Sequence, residues 1–250
     1  MTSSDSNVPA LSSDSEAPRP LSGLGVIAWG LVCTAAWLII ILIATAISSE
    51  LEHDPGITGE AGSLVFVVGQ GLAGIVGWYL IPRLILRRRR VGHLVRWRWP
   101  VFSDFAWAAA GLAVIYLTLF LYVAIVEGFG QDQLVPESTI DDDSLYAHTS
   151  VVIALGILVI LAAPIYEETF ARGFVLGGLR PRWGVIPAFL ISAAVFSALH
   201  ADLGSLIPFA IAGVILGWLY LRTGSLTAPT IAHVGFNLIG YSATLVQQFS

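Results

Sequence analysis

The sequence predicts an all-α protein: a polytopic transmembrane helical bundle with about seven membrane segments. Three observations predict it. Of 250 residues, 56% are hydrophobic and only 12% are charged, whereas soluble domains carry about a quarter charged residues. The apolar stretches run on continuously for about 20 residues, the length that crosses a bilayer as a helix; the short alternating segments of a membrane β-barrel are missing. Finally, arginines and acids are sorted into alternate connecting loops, as expected of a chain that crosses a membrane repeatedly.

The elements follow in order. Residues 1–22, rich in Ser, Pro and acid, have the composition of a disordered tail. No basic n-region or small-residue cleavage site marks them as a signal peptide, so the next apolar run is expected to be a retained helix. The apolar segments are 24–47, 63–86, 102–126, 150–178, 185–200, 205–221 and 227–247, and residues 23–250 form one membrane domain. The fifth and sixth segments are short and separated only by ADLG, which predicts a tight hairpin or an incomplete crossing. Gly177 and Gly178 read as a helix stop, leaving Leu179 to Gly184 as a six-residue link. Gln70 is expected to make an interhelical hydrogen bond, Asp104 to be solvated or to cap a helix, and Asp202 to be a turn residue. Cys33 is the one cysteine, so neither an internal disulfide nor a cysteine metal site can form.

All twelve basic residues are arginine. Arg83, Arg87 to Arg90, Arg96 and Arg98 lie between segments two and three, Arg180 and Arg182 between four and five, and Arg222 between six and seven. The alternate loops carry Glu50, Glu52, Asp54 and Glu60, then Glu127, Asp132, Glu137 and Asp141 to Asp143, with Asp202 in the short turn. By the positive-inside rule the expected protein is multi-pass in the cell membrane, with a cytoplasmic amino terminus and an external carboxyl terminus. The stretch RRRRVGHLVRWRWP mixes arginine with tryptophan at a membrane edge, which predicts lipid headgroup contact and not nucleic-acid binding.

Ionisable groups within the apolar segments are functional candidates by default. Glu168 and Arg172 stand four apart with the acid first, the favourable helical pairing. Glu167 points about 100° away, and its own i+4 neighbour is Ala171. It must therefore find partners on other helices, line a wet cavity or be protonated. His200 follows Phe196 by one turn, and His233 precedes Asn237 by one turn. These are the two histidines that fall in apolar segments; His53, His93 and His148 fall in loops. Counting ~1.5 Å per residue from the arginine side puts His233 ~10 Å deep, Glu167 ~16 Å and His200 ~20 Å or more, and the proline at 164 can bend its helix. The set Glu167, His200, His233 and Asn237 supports two routes to amide hydrolysis. In one, the carboxylate activates a water while Asn237 and an imidazole N–H stabilise the oxyanion. In the other, Glu167, His200 and His233 hold one divalent metal such as zinc.

EETFAR (Glu167, Glu168, Arg172), FSALH (Phe196, His200) and HVGFN (His233, Asn237) stand in that order on successive apolar segments. In this the sequence resembles the CPBP family of intramembrane endopeptidases, which includes type II CAAX prenyl proteases and bacteriocin-processing or immunity proteins. The resemblance covers about residues 150–240, the implied catalytic core. It implies that Glu167 is the water-activating base and that His200 assists it or binds metal. It further implies that His233 and Asn237 complete a metal site or oxyanion hole, and that Glu168 with Arg172 is a structural pair. The implied partner is a membrane-embedded or lipid-modified peptide in the bilayer. Two rival readings are a non-catalytic immunity or scaffold protein of the same fold and a proton-coupled transporter. No internal repeat of the kind many transporters show is evident.

Overall fold

The computed structural model describes residues 21–53, 59–136, 143–200 and 202–250. The tail expected at 1–22 lies almost wholly outside the described residues, as do Asp54, Glu137, Asp141 and Asp142. Seven helical rods make up the fold among the described residues: α1 Gly23–His53, α2 Gly59–Arg88, α3 Phe102–Gly128, α4 Thr149–Trp183, α5 Val185–Ala198, α6 Leu206–Thr223 and α7 Thr227–Phe249. The all-α expectation holds. Five of them, α1, α2, α3, α4 and α6, are long and apolar enough to cross a membrane. Helix α5, at 14 residues, reaches only ~21 Å, short of the ~30 Å hydrocarbon core. Alone it is too short for a full crossing, in line with the short fifth segment of the sequence.

The outside of the bundle is apolar. Leu31, Ile39 and Phe120 are more than half exposed, which suits lipid and not water. Inside, α1 and α2 approach closely because α2 presents glycine. A Cβ at Gly69 would lie 2.1 Å from that of Ala44, and one at Gly77 would lie 2.8 Å from both the Cys33 carbonyl oxygen and the Trp37 Cβ. Small residues at such contacts let backbones approach where no hydrophobic effect pushes helices together. An aromatic ladder then joins α1 and α2 to α4: Trp37 stacks on Trp78 at 4.6 Å, Trp78 on Phe170 at 5.7 Å and Phe170 on Phe174 at 6.0 Å.

The link between α2 and α3 stitches one end of the bundle. The Leu94 carbonyl accepts from Tyr220 at 2.9 Å, that of Arg96 from the Leu226 amide at 3.1 Å and that of Arg98 from Thr227 at 2.8 Å. Asp104 is fully buried; it accepts from the Val101 amide at 2.9 Å and pairs with Arg98 at 2.5 Å. It therefore caps α3, and of its two expected settings the solvated one does not occur. Trp99 is 92% exposed and Arg87, Arg88 and Arg89 are exposed, the disposition expected for headgroup contact. At the other end Ser150 donates to Glu60, joining the starts of α2 and α4.

Two expectations about α4 need correction. Gly177 and Gly178 do not stop it; both are buried in a helix that continues to Trp183. They leave room for neighbours, since a Cβ at Gly178 would lie 2.9 Å from Val26 Cγ2 and one at Gly177 3.2 Å from Leu94 Cβ. The stop is Gly184, whose φ of +83° suits glycine. The link between α4 and α5 is thus this one residue.

Candidate active site

The site is built on a break in α4. Residues Leu158–Ala162 form a π-helical turn, in which the Ala163 amide bonds to the Leu158 carbonyl, five residues back. In that register the next amide would bond to Val159, but residue 164 is proline and has no N–H. Asn237 Nδ2 on α7 supplies the missing donor to the Val159 carbonyl at 2.8 Å. A side chain from another helix thus satisfies a backbone group that lipid could not. The six residues that follow, Ala163–Glu168, return to α-helical register and carry both glutamates. A second π-helical stretch, Thr169–Leu176, carries Arg172.

Glu168 and Arg172 have no solvent exposure and meet at 2.8 Å. Arg172 also donates to the Gly213 carbonyl at 3.2 Å, and its Cζ sits 4.4 Å from the centre of the Phe196 ring. The same Glu168 oxygen that takes Arg172 also takes His233 Nδ1, at 3.0 Å. A carboxylate only accepts, so Nδ1 carries the hydrogen and the neutral ring has its lone pair on Nε2. That nitrogen lies 3.7 Å from Glu167 Oε2, too far for a direct hydrogen bond and close enough for one small species to bridge. Glu167 keeps 16% of its side chain exposed.

His200 stands in the turn just past α5, and its Nδ1 faces the Phe196 carbonyl at 2.9 Å. Because a carbonyl only accepts, its Nε2 too holds a lone pair. The Phe196 ring packs edge-on to both imidazoles, to His200 at 5.0 Å and to His233 at 5.4 Å. Asp202 accepts from the Gly204 and Ser205 amides at 3.1 and 2.8 Å, making it the turn residue the sequence predicts.

Glu167, His200, His233 and Asn237 all line one cavity of about 530 Å³, whose remaining wall is largely apolar. Among the described residues, no three His, Cys, Asp or Glu side chains converge as ligands for one metal ion. The set Glu167, His200 and His233 therefore does not fit the three-ligand zinc expectation. Each ring's Nδ1 is engaged, at the Phe196 carbonyl and at Glu168, which leaves both Nε2 atoms open. Sequence reasoning missed the Glu168–His233 contact, the role of the Phe196 ring and the Val159 carbonyl. Pro164 was the one available signal for the last, because a missing N–H leaves a carbonyl to be satisfied elsewhere. Gln70 departs from its expected interhelical bond: among the described residues it has no hydrogen-bond partner, and it stands on the cavity wall near Glu167.

The fold and this site define a class: a multi-pass helical membrane protein with Glu, His and Asn side chains lining one largely apolar cavity. Residues 149–239 match the family "Type II CAAX prenyl endopeptidase Rce1-like", and this segment, which carries all three motifs, supports the resemblance to the CPBP family. The chain is 30% identical to "Putative membrane peptidase YdiL" of Bacillus subtilis over 39% of its own length and 41% of the relative's. It is 27% identical to the "Uncharacterized 24.3 kDa protein" of Escherichia coli over 67% of its length and 76% of that protein. With "UPF0177 protein YxdF" of Lactococcus lactis the identity is 32% over 36% of the chain and 47% of the relative. The chain thus spans less than half the length of the Bacillus and Lactococcus relatives. No solved structure matches it.

Proposed function

We propose that the protein is an intramembrane endopeptidase that hydrolyses a peptide bond of a membrane-associated substrate with a water activated by Glu167. The observation that carries this reading is the 3.7 Å gap between Glu167 Oε2 and His233 Nε2 at a cavity wall. A water accepted by both, at hydrogen-bond lengths of about 2.8 Å, fits that gap with its oxygen lone pairs free. Glu167 takes one proton as the oxygen attacks the carbonyl carbon. The second N–H of Asn237 stabilises the oxyanion, with its first N–H held by Val159. Collapse breaks the C–N bond, and the departing nitrogen takes the proton from Glu167. His200 assists through its Nε2 lone pair, holding water or substrate on the same wall. Glu168 and Arg172 hold His233 in the tautomer this requires. No step calls for a metal.

The largely apolar cavity suits a membrane-embedded or lipid-modified peptide that enters from the bilayer. The single-residue link at Gly184 leaves no room there for a soluble recognition domain. In the proposed topology the arginine-bearing end is cytoplasmic, with the amino terminus, and the carboxyl terminus is external.

Glu167→Gln tests the assignment. Turnover of a membrane peptide substrate is expected to fall at least a hundredfold, in the range of a lost general base, while the melting temperature in detergent stays within a degree or two. Full turnover by that variant would overturn the role of Glu167.

A further inference from the structure

The 530 Å³ cavity has a neighbour of about 140 Å³, lined by Trp37, Trp78, Phe170 and Leu199. The two share five residues: Gln70, Tyr166, Glu167, Phe196 and His200. Glu167 therefore sits at the neck between a large chamber and a small aromatic one. Gln70 comes from α2, outside the segment that matches the family, and it stands at the same neck.

Polar groups around this neck are mostly committed. His233 is held by Glu168, Asn237 by Val159, and His200 Nδ1 by Phe196. Gln70 differs. Its carboxamide, with two N–H donors and one acceptor oxygen, has no protein partner among the described residues. A carboxamide that served to glue helices together would hydrogen-bond across the interface, and an unpaired one is unfavourable in apolar surroundings. Phe66, one turn earlier on α2, lines the large chamber too, so this helix face is turned toward the cavity and away from lipid.

We infer that Gln70 is a substrate-binding residue, pairing its carboxamide with the backbone N–H and C=O of an extended peptide beside the bond to be cut. This rests on the peptidase reading above. A carboxamide offers the same donor–acceptor pair as a neighbouring strand, the arrangement by which extended peptides are recognised. Threaded through the neck, such a peptide would place one apolar side chain in the small aromatic chamber and its scissile carbonyl at Glu167. Gln70 would then fix register without reading side chains.

The test uses the full chain in detergent, with acetyl-Leu-Ala-Leu-Ala-Leu-amide and a series in which each backbone N–H is replaced in turn by an ester oxygen. Binding is read by titration calorimetry in the Glu167→Gln background, so that no turnover intervenes. Gln70→Met, close in shape but without the amide, is expected to weaken binding of the parent peptide about tenfold, the scale of one lost hydrogen bond to an unpaired polar group. One ester in the series should weaken binding to the form that keeps Gln70 by a similar factor and leave binding to the Gln70→Met form unaffected. That convergence is a signature a merely structural role would not produce. Equal binding by both forms, parallel losses across the whole series, or no binding by either overturns the inference. If peptides bind with this Gln70 dependence but are never cut with Glu167 intact, the peptidase reading fails alone. If they are cut with KM and kcat unchanged by Gln70→Met, the role of Gln70 fails alone.

Discussion

Glu168 is the residue on which the site's geometry turns. One carboxylate oxygen holds both Arg172 and His233, so the acid serves the pairing that its spacing predicts and a second one that it does not. Removing either partner of a fully buried pair leaves an uncompensated charge and costs about 3–5 kcal/mol. Glu168→Gln and Arg172→Ala are each expected to lower detergent stability on that scale, read as a large fall in melting temperature. A variant at Glu168 or Arg172 that melted like the parent would show that the pair does not hold this region together. Glu167→Gln, with its acid partly exposed to the cavity, is expected to do the opposite: lose turnover and keep the fold. The contrast between adjacent glutamates was legible from the helical angle separating them. That His233 would reach both was not, because the angle says nothing of where α7 lies.

At the scale of elements, the break in α4 and its repair by α7 act as one unit. Asn237→Ala would leave the Val159 carbonyl unpaired in apolar surroundings, a loss of about 1–3 kcal/mol. Pro164→Ala restores an N–H one register step from that carbonyl. The cost of Asn237→Ala is therefore expected to fall by at least half in the Pro164→Ala background, as measured by denaturant unfolding in a double-mutant cycle. Purely additive losses would show that the proline and the asparagine are energetically independent. The sequence signals the bend through Pro164 and the register of Asn237 with His233 through their four-residue spacing. The π-helical turns were illegible, since one extra residue per turn leaves no mark in a uniformly apolar stretch. They also shift residues along α4 relative to the even count of 1.5 Å per residue. The short helix α5, in turn, is too short to span the hydrocarbon core, and His200 stands in the turn at its end. The depth count brings the three groups only loosely to one level, whereas in the structure His233 comes within 3.7 Å of Glu167.

For the whole molecule, the sorting of arginines and acids into opposite loops matches two stitched ends. Trp183, at the end of α4, packs at the start of α1, where a Cβ on Gly23 would lie 2.3 Å from its indole nitrogen. The α2–α3 link reaches Gly177 on α4 and the α6–α7 link at the same end. Sidedness is a matter of charge and can be measured directly. A phosphatase reporter that works only outside the cell is expected to be active when fused after Gln131 and silent when fused after Arg89. The inverse pattern would reverse the proposed topology.

By itself the sequence determined the helical membrane class, the succession of seven apolar segments and the residues able to carry chemistry. Those features depend on local hydropathy and on charge, which can be read one residue at a time. Only the tertiary structure decided which of these residues meet. It joined one imidazole to two glutamates, gave Asn237 to a backbone carbonyl and, among the described residues, assembled no three-ligand metal set and left the Gln70 amide without a partner. Contacts between helices depend on their rotation and on the small residues that set their approach, and in a bilayer, where every outward face is equally apolar, no surface pattern reveals either.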